Sequence, residues 1–180
     1  TSLNDMVGHG VPTLRALKAH DILKLDLGVR HRGYYADAAV TVSCVPTARA
    51  RRLMEATMAA LHAGIQAATP GRTLGDIGYA IKKTVETDYH FKIVRGLTGH
   101  FIGRELHEDP AVPNEGRPGK GMKLLPGMVL AIEPMLTLGS PELVLDTDGH
   151  SFRTKDGSLS AHFEHTILVT DRGAEVLTGV

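Results

Sequence analysis

Asp26, Asp37, His100, Glu133 and Glu164 are the side chains whose types and settings point to chemistry. The two aspartates share one stretch, ILKLDLGVRHRGYYADAAVTVSCV, from Ile22 to Val45. Leu23, Leu25, Leu27 and Val29 alternate there with Lys24, Asp26 and Gly28, and Tyr34, Ala36, Ala38, Val40 and Val42 alternate with Tyr35, Asp37, Ala39 and Thr41. Two adjacent runs of period two read as a β-hairpin with both aspartates on its less apolar face. A turn centred on His31-Arg32 predicts Asp26 directly opposite Asp37, with Cβ atoms roughly 4.5–5.5 Å apart. Like charges so placed repel unless a proton or a cation lies between them. The alternative is a shifted register with both aspartates solvated.

Glu133 and Glu164 are each a lone acid inside an apolar strand, MVLAIEP and HFEHTILV. Such an acid is rarely buried unless paired, protonated or bound to metal. With His100 they complete a set of four carboxylates and one imidazole. The set is hard, oxygen-rich and free of thiolate, so it suits Mn(II), Fe(II), Co(II) or Zn(II) better than a structural zinc site. Four carboxylates exceed the charge that one divalent ion offsets. Two ions about 3.5–4 Å apart would balance them and could polarise a carbonyl. Two other histidines sit beside glycines: His9 in GHGVP, where backbone can approach a ligand closely, and His107 in GHFIGRELHEDP. A surface-loop histidine is an equal reading of His9 on local grounds.

Elements must position these groups. Pro46-Thr47 opens a predicted helix whose stripe is Met54, Met58, Leu61 and Ile65, ended by Pro70-Gly71. Thr73 with Asp76 resembles a capping box and starts a second helix with a core face of Ile77, Ile81 and Val85. Phe91–Val94, Met128–Ile132, Ala161–Thr170 and Glu175–Leu177 read as strands, and 113 to 127 as a Pro/Gly/Lys-rich loop. In Ala161–Thr170, His162, Glu164 and Thr166 share one face, and Phe163, His165, Ile167 and Val169 the other. Strands on both sides of two grouped helices indicate an α+β fold with an antiparallel sheet, a single catalytic domain over 1–180.

Bulk composition narrows the setting. The chain is 180 residues long, 42% hydrophobic and 22% charged, with a net charge of zero. Zero charge offers no electrostatic grip on nucleic acid, and no run approaches the ~18 apolar residues of a membrane span, so neither partner is expected. Cys44 is the only cysteine, which excludes an intrachain disulfide and suggests a reducing, cytoplasmic setting.

The five acids and histidines, with the words GHGVP, DLGVRHRGYYAD, LPGM and LAIEPM, TKDGSLSAHFEHTILVT and EVLT, resemble the bacterial-type (type I) methionine aminopeptidases over essentially the whole chain. That resemblance implies the pita-bread fold, a curved antiparallel sheet backed by helices and built as two pseudo-symmetric halves. It implies a dimetal enzyme that removes the N-terminal residue, most simply methionine, from peptides or nascent proteins. By the same resemblance Asp26 chelates one ion, Asp37 and Glu164 bridge both, and His100 and Glu133 hold the other. Glu133 would also shuttle a proton, His107 would donate to the carbonyl oxygen, and His9 would contact the substrate amide nitrogen. His165, on the opposite strand face from Glu164, would be structural or would support a ligand from behind.

Some features depart from the family pattern. Phe101 stands where the family has glycine, beside His100. Leu106 and His150 replace aromatic residues expected to line the methionine pocket, which implies a more open, less selective pocket. The family's N-terminal portion, with its helix pair, has no counterpart here. Part of the apolar stripe Leu23–Val29 would then need cover from a separate N-terminal chain, from a second copy, or from a preceding segment of a longer protein. Other readings are a pita-bread binding module or a low-activity relative with altered specificity, and an aminopeptidase acting on X-Pro.

Overall fold

Residues 1–179 are described by a computed structural model. In chain order they form strands β1 (Ser2–Leu3), β2 (Met6–Gly8), β3 (Leu23–His31) and β4 (Tyr34–Val42). Helices α1 (Ala48–Ala67) and α2 (Leu74–Lys83) follow, then strands β5 (Lys92–Ile93), β6 (Gly99–Phe101), β7 (Glu108–Val112), β8 (Val129–Ile132) and β9 (Met135–Thr137). The last strands are β10 (Leu143–Leu145), β11 (Phe152–Thr154), β12 (Ser160–His162), β13 (Glu164–Thr170) and β14 (Gly173–Val176).

The hairpin β3–β4 forms, but its register differs from the sequence expectation. Its two-residue turn is Arg32-Gly33, with φ of 50° and 85°. A tight hairpin turn of this kind needs positive φ at both central residues, and glycine adopts it without strain. A turn on His31-Arg32 would have excluded Gly33. The one-step shift pairs Asp26 with Ala39 and Gly28 with Asp37. The aspartates are therefore diagonal neighbours on one face, not directly opposite, which lengthens the gap between like charges.

The main sheet runs β1-β3-β4-β13-β8-β6-β7, with β14 on β13, and two three-stranded sheets (β10-β11-β2 and β12-β9-β5) flank it. Every strand pairing among the described residues is antiparallel. The expected strand Ala161–Thr170 is broken at Phe163: β12 pairs with β9, while β13 joins the main sheet. One chain segment thus passes between two sheets at the point where His162 and Glu164 stand.

Both helices lie on one side of the sheet. Thr47 caps α1, its hydroxyl oxygen accepting from Ala50 N at 3.2 Å. Asp76 accepts from the Thr73 backbone N–H at 2.8 Å at the start of α2, as the capping motif predicts. Past Lys83 the helix widens into a π-type turn, Thr84–Tyr89, and ends at His90 with φ 61°. Ile77, Ile81 and Val85 are fully buried. The buried face of α1 is rotated from the expected stripe. Ala56, Ala60 and Gly64 lie in it with Leu53, Leu61 and Ile65, while Met54 and Met58 flank it, partly buried. Small residues let the helix approach closely: a Cβ on Gly64 would press on Ile81 and Ile132. The core between helices and sheet joins Ile22, Leu53, Leu61, Ile77, Ile81, Leu130, Ile132 and Ile167. α1 does not reach the hairpin's outer half, so Leu27 (67% exposed) and Val29 (52%) remain open to solvent.

Candidate metal centre

The face of the sheet away from the helices carries the acids. Asp37 is 7% exposed and is fixed by its backbone. Its N–H donates to Thr166 Oγ1 at 2.9 Å, and the Thr166 hydroxyl donates to the Asp37 carbonyl at 2.8 Å. Thr41 treats His162 in the same way, its oxygen accepting from His162 N at 2.9 Å and its hydroxyl donating to His162 O at 2.7 Å. Between these two rungs lies the backbone pair Glu164–Ala39. Threonine hydroxyls therefore extend the β4–β13 ladder at both ends. Asp37, Glu164 and His162 are held in one rigid frame as a result.

His100 on β6 lies opposite Ala131 of β8, and Glu133 follows β8 directly. His100 Nδ1 is 3.0 Å from the Phe101 carbonyl, which can only accept, so this nitrogen carries the proton. Nε2 is left with a free lone pair, 3.4 Å from Glu133 Oε1. Two electron-rich atoms facing each other at that distance call for a proton or a cation between them. Three groups of ligand atoms converge to within 4.8 Å of one another: Asp26, Asp37 and Glu164; His100, Glu133 and Glu164; and Asp37, His100 and His107. Asp37, His100 and Glu164 each belong to two of them, so the three groups overlap in one cluster.

Electrostatics fits the same picture. Burial, aided by Glu133, Asp37 and Asp26, pushes the Glu164 carboxyl up to about 10. Burial also raises Glu133 to about 8, with His100 opposing and Asp26 and Asp37 adding to the rise. Burial lowers His162 to about 4, so its ring is neutral. Glu164 Oε1 and both ring nitrogens of His162 are buried without a hydrogen-bond partner. A carboxylate-rich cluster with an orphaned carboxylate oxygen and a free imidazole lone pair is a donor set that fits divalent metal ions.

These groups open into a cavity of about 390 Å³ whose wall includes His9, Leu97, His107, Met135 and His162. His9 has φ 58° between Gly8 and Gly10, and its ring stacks edge-on to Phe152 at 5.5 Å. A Cβ on Gly10 would collide with the Thr1 carbonyl and the Met6 sulfur, so glycine is required at that close approach. The His107 and His100 rings meet edge-to-face at 4.5 Å. Phe101 is not on the wall; it packs into the helix-side core. Leu106 lies against Gly28 behind Asp37, and His150 is exposed in a turn held by Asp148, whose Oδ1 accepts from His150 N at 2.8 Å. Neither lines this cavity, contrary to the expectation for the pocket, because the tight Asp148 turn keeps His150 outside it. His165 faces the other side and bonds Thr178 at 2.9 Å. His162 is the residue that sequence reasoning left out. Its shared strand face with Glu164 was the available signal.

The model of metallopeptidase family M24 matches residues 1–171. The chain belongs to that family. This M24 chain is 44% identical over 181 residues to the methionine aminopeptidase of Aquifex aeolicus, covering 98% of this chain and 70% of the relative. A crystal structure of methionine aminopeptidase from Thermotoga maritima superposes with a TM-score of 0.96 at 45% identity, covering 99% of this chain and 72% of that one. A prolidase from Pyrococcus furiosus shares the fold at a TM-score of 0.79 and 23% identity, over 99% of this chain and 48% of that one. The M24 chain therefore has the pita-bread fold, and its curled antiparallel sheet with one helix pair is that fold's arrangement.

Proposed function

We propose that this chain is an aminopeptidase that removes N-terminal methionine from peptides or nascent proteins in the cytoplasm. Two divalent ions would be held by Asp26, Asp37, His100, Glu133 and Glu164. The convergence of these five side chains on one cavity, in an M24 chain of 44% identity to a methionine aminopeptidase, carries the reading. When bound, the ions supply Lewis-acid polarisation of the scissile carbonyl and a nucleophilic water at neutral pH. The oxygen-rich donor set with one imidazole suits Co, Mn, Fe or Zn.

The chain's own residues do the rest. The cavity carboxylates attract the free α-ammonium of the substrate. Glu133, whose carboxyl burial raises to about 8 in the metal-free chain, stands on the cavity wall where it can move a proton during turnover. His107 donates to the carbonyl oxygen as charge develops there, and His9 contacts the amide nitrogen of the departing peptide. No Phe, Tyr or Trp lies on the cavity wall among the described residues. Without aromatic area to pack on a thioether, preference for Met over Leu, Ala and Gly should be weak across Xaa-Ala-Ser peptides. A strict Met preference in that panel would overturn the open-pocket reading.

The test of the function is metal content measured beside Met-Ala-Ser hydrolysis. Chelation should abolish turnover, and returning a divalent metal should restore it. Tight metal uptake with no hydrolysis of any peptide would favour a binding module instead.

A further inference from the structure

His162 is the buried group that the proposed chemistry does not use. It is 3% exposed, its backbone is bolted to Thr41 at both N–H and carbonyl, and it ends β12 where the chain crosses into the main sheet. Neither ring nitrogen has a hydrogen-bond partner. Nε2 nevertheless faces carboxylate oxygens, 3.5 Å from Glu133 Oε2 and 3.9 Å from Glu164 Oε2. A buried imidazole beside acceptors is stabilised by placing its proton on the nitrogen that faces them. None of the three converging ligand groups includes His162.

Glu133 thus stands between two imidazoles. His100 Nε2, with its lone pair free, faces Oε1 at 3.4 Å, and His162 Nε2 faces Oε2. We infer that His162 is a positioning residue for Glu133, its Nε2–H closing on Oε2 so that Oε1 is presented to the His100 side of the cavity. The inference rests on the proposed metal-dependent reading and adds an orienting partner to it. An outer donor of this kind fixes the rotamer of a ligating carboxylate and its basicity, and its loss commonly costs 10–100-fold in metal affinity or activity. The Thr41 rungs supply the rigidity this needs, because the imidazole cannot withdraw without breaking two backbone contacts.

The test uses the full chain and Co(II) as the probe, with His162→Phe, which keeps ring volume but removes the donor, and His162→Gln, which keeps a donor. Melting curves establish that each variant folds. Calorimetry should show His162→Phe binding the Co(II) ion that Glu133 holds about 10–100-fold more weakly, with an altered visible Co(II) spectrum. On Met-Ala-Ser, kcat should fall with little change in KM, and His162→Gln should recover most of both losses. Wild-type affinity, spectrum and kcat in a folded His162→Phe would overturn the inference. If the phenylalanine variant does not fold, the Zn(II)-loaded wild type decides. A slowly exchanging Nε2–H from a 15N-labelled histidine, lost in His162→Gln, supports the inference, and its absence overturns it. Wild-type protein that takes up no Co(II) would sink the proposed function as well.

Discussion

His107 and the two buried glutamates offer separate tests at the scale of single residues. His107→Ala should lower kcat by about 10²–10³-fold, the usual cost of one oxyanion donor, while Co(II) binding by calorimetry stays close to wild type. Equal loss of both would make His107 a ligand, for which its grouping with Asp37 and His100 leaves room. The glutamates govern the pH response. Raised folded-state values favour the protonated carboxyls, so their contribution to metal-free stability is full below about 4.5 and is lost as pH rises through about 8 for Glu133 and about 10 for Glu164. His162, lowered from 6.5 to about 4, acts in the opposite sense only below 6.5. Lys24, lowered from 10.5 to about 7 by burial, acts in the opposite sense only above 7. The two glutamates outweigh either one, so the metal-free melting temperature should fall between pH 5 and 8. Ligation needs carboxylates, so metal affinity should rise over the same window. Binding should release protons, measured by calorimetry in buffers of different ionisation heat. Proton-neutral binding at pH 7 would refute the assignment.

Among the elements, the hairpin and its neighbour β13 decide whether the acids meet. The Thr166 hydroxyl both accepts from and donates to the Asp37 backbone, where the strands would otherwise lack a rung. Thr166→Val keeps the shape but leaves the Asp37 N–H and carbonyl buried and unpaired. Such groups cost about 1–3 kcal/mol each. The variant should lose stability in urea by about that amount and bind metal more weakly, since Asp37 is freed. Unchanged stability would mean that the backbone pairing Glu164–Ala39 suffices.

For the molecule as a whole, the apolar side of the hairpin stands out. Leu25, Leu27, Val29 and Val40 are 39–67% exposed and border a groove of about 500 Å³ with Met58, Leu61 and Phe163. Contiguous apolar surface of this kind is uncommon on soluble monomers. The purified chain is expected to scatter light as a dimer or larger, above its 19.3 kDa, and Leu27→Lys should shift it toward monomer. A wild-type monomer with a cooperative melt would refute this.

Much of this arrangement is legible without coordinates because it is local. Thr47 and Thr73 announce their helices through contacts within one turn, and the alternation around Asp26 and Asp37 reports which face each side chain takes. The ligand types follow from lone acids in apolar strands. What lies between distant segments could not be read this way. Register turned on two positive φ angles at Arg32-Gly33, and the inward face of α1 on how closely Gly64 could approach Ile81 and Ile132. The break at Phe163, the exclusion of His150 and the turn of His162 toward Glu133 depend on which sheet each strand joins. That choice is settled by the summed packing and hydrogen bonding of the folded chain, to which no single stretch of sequence has access.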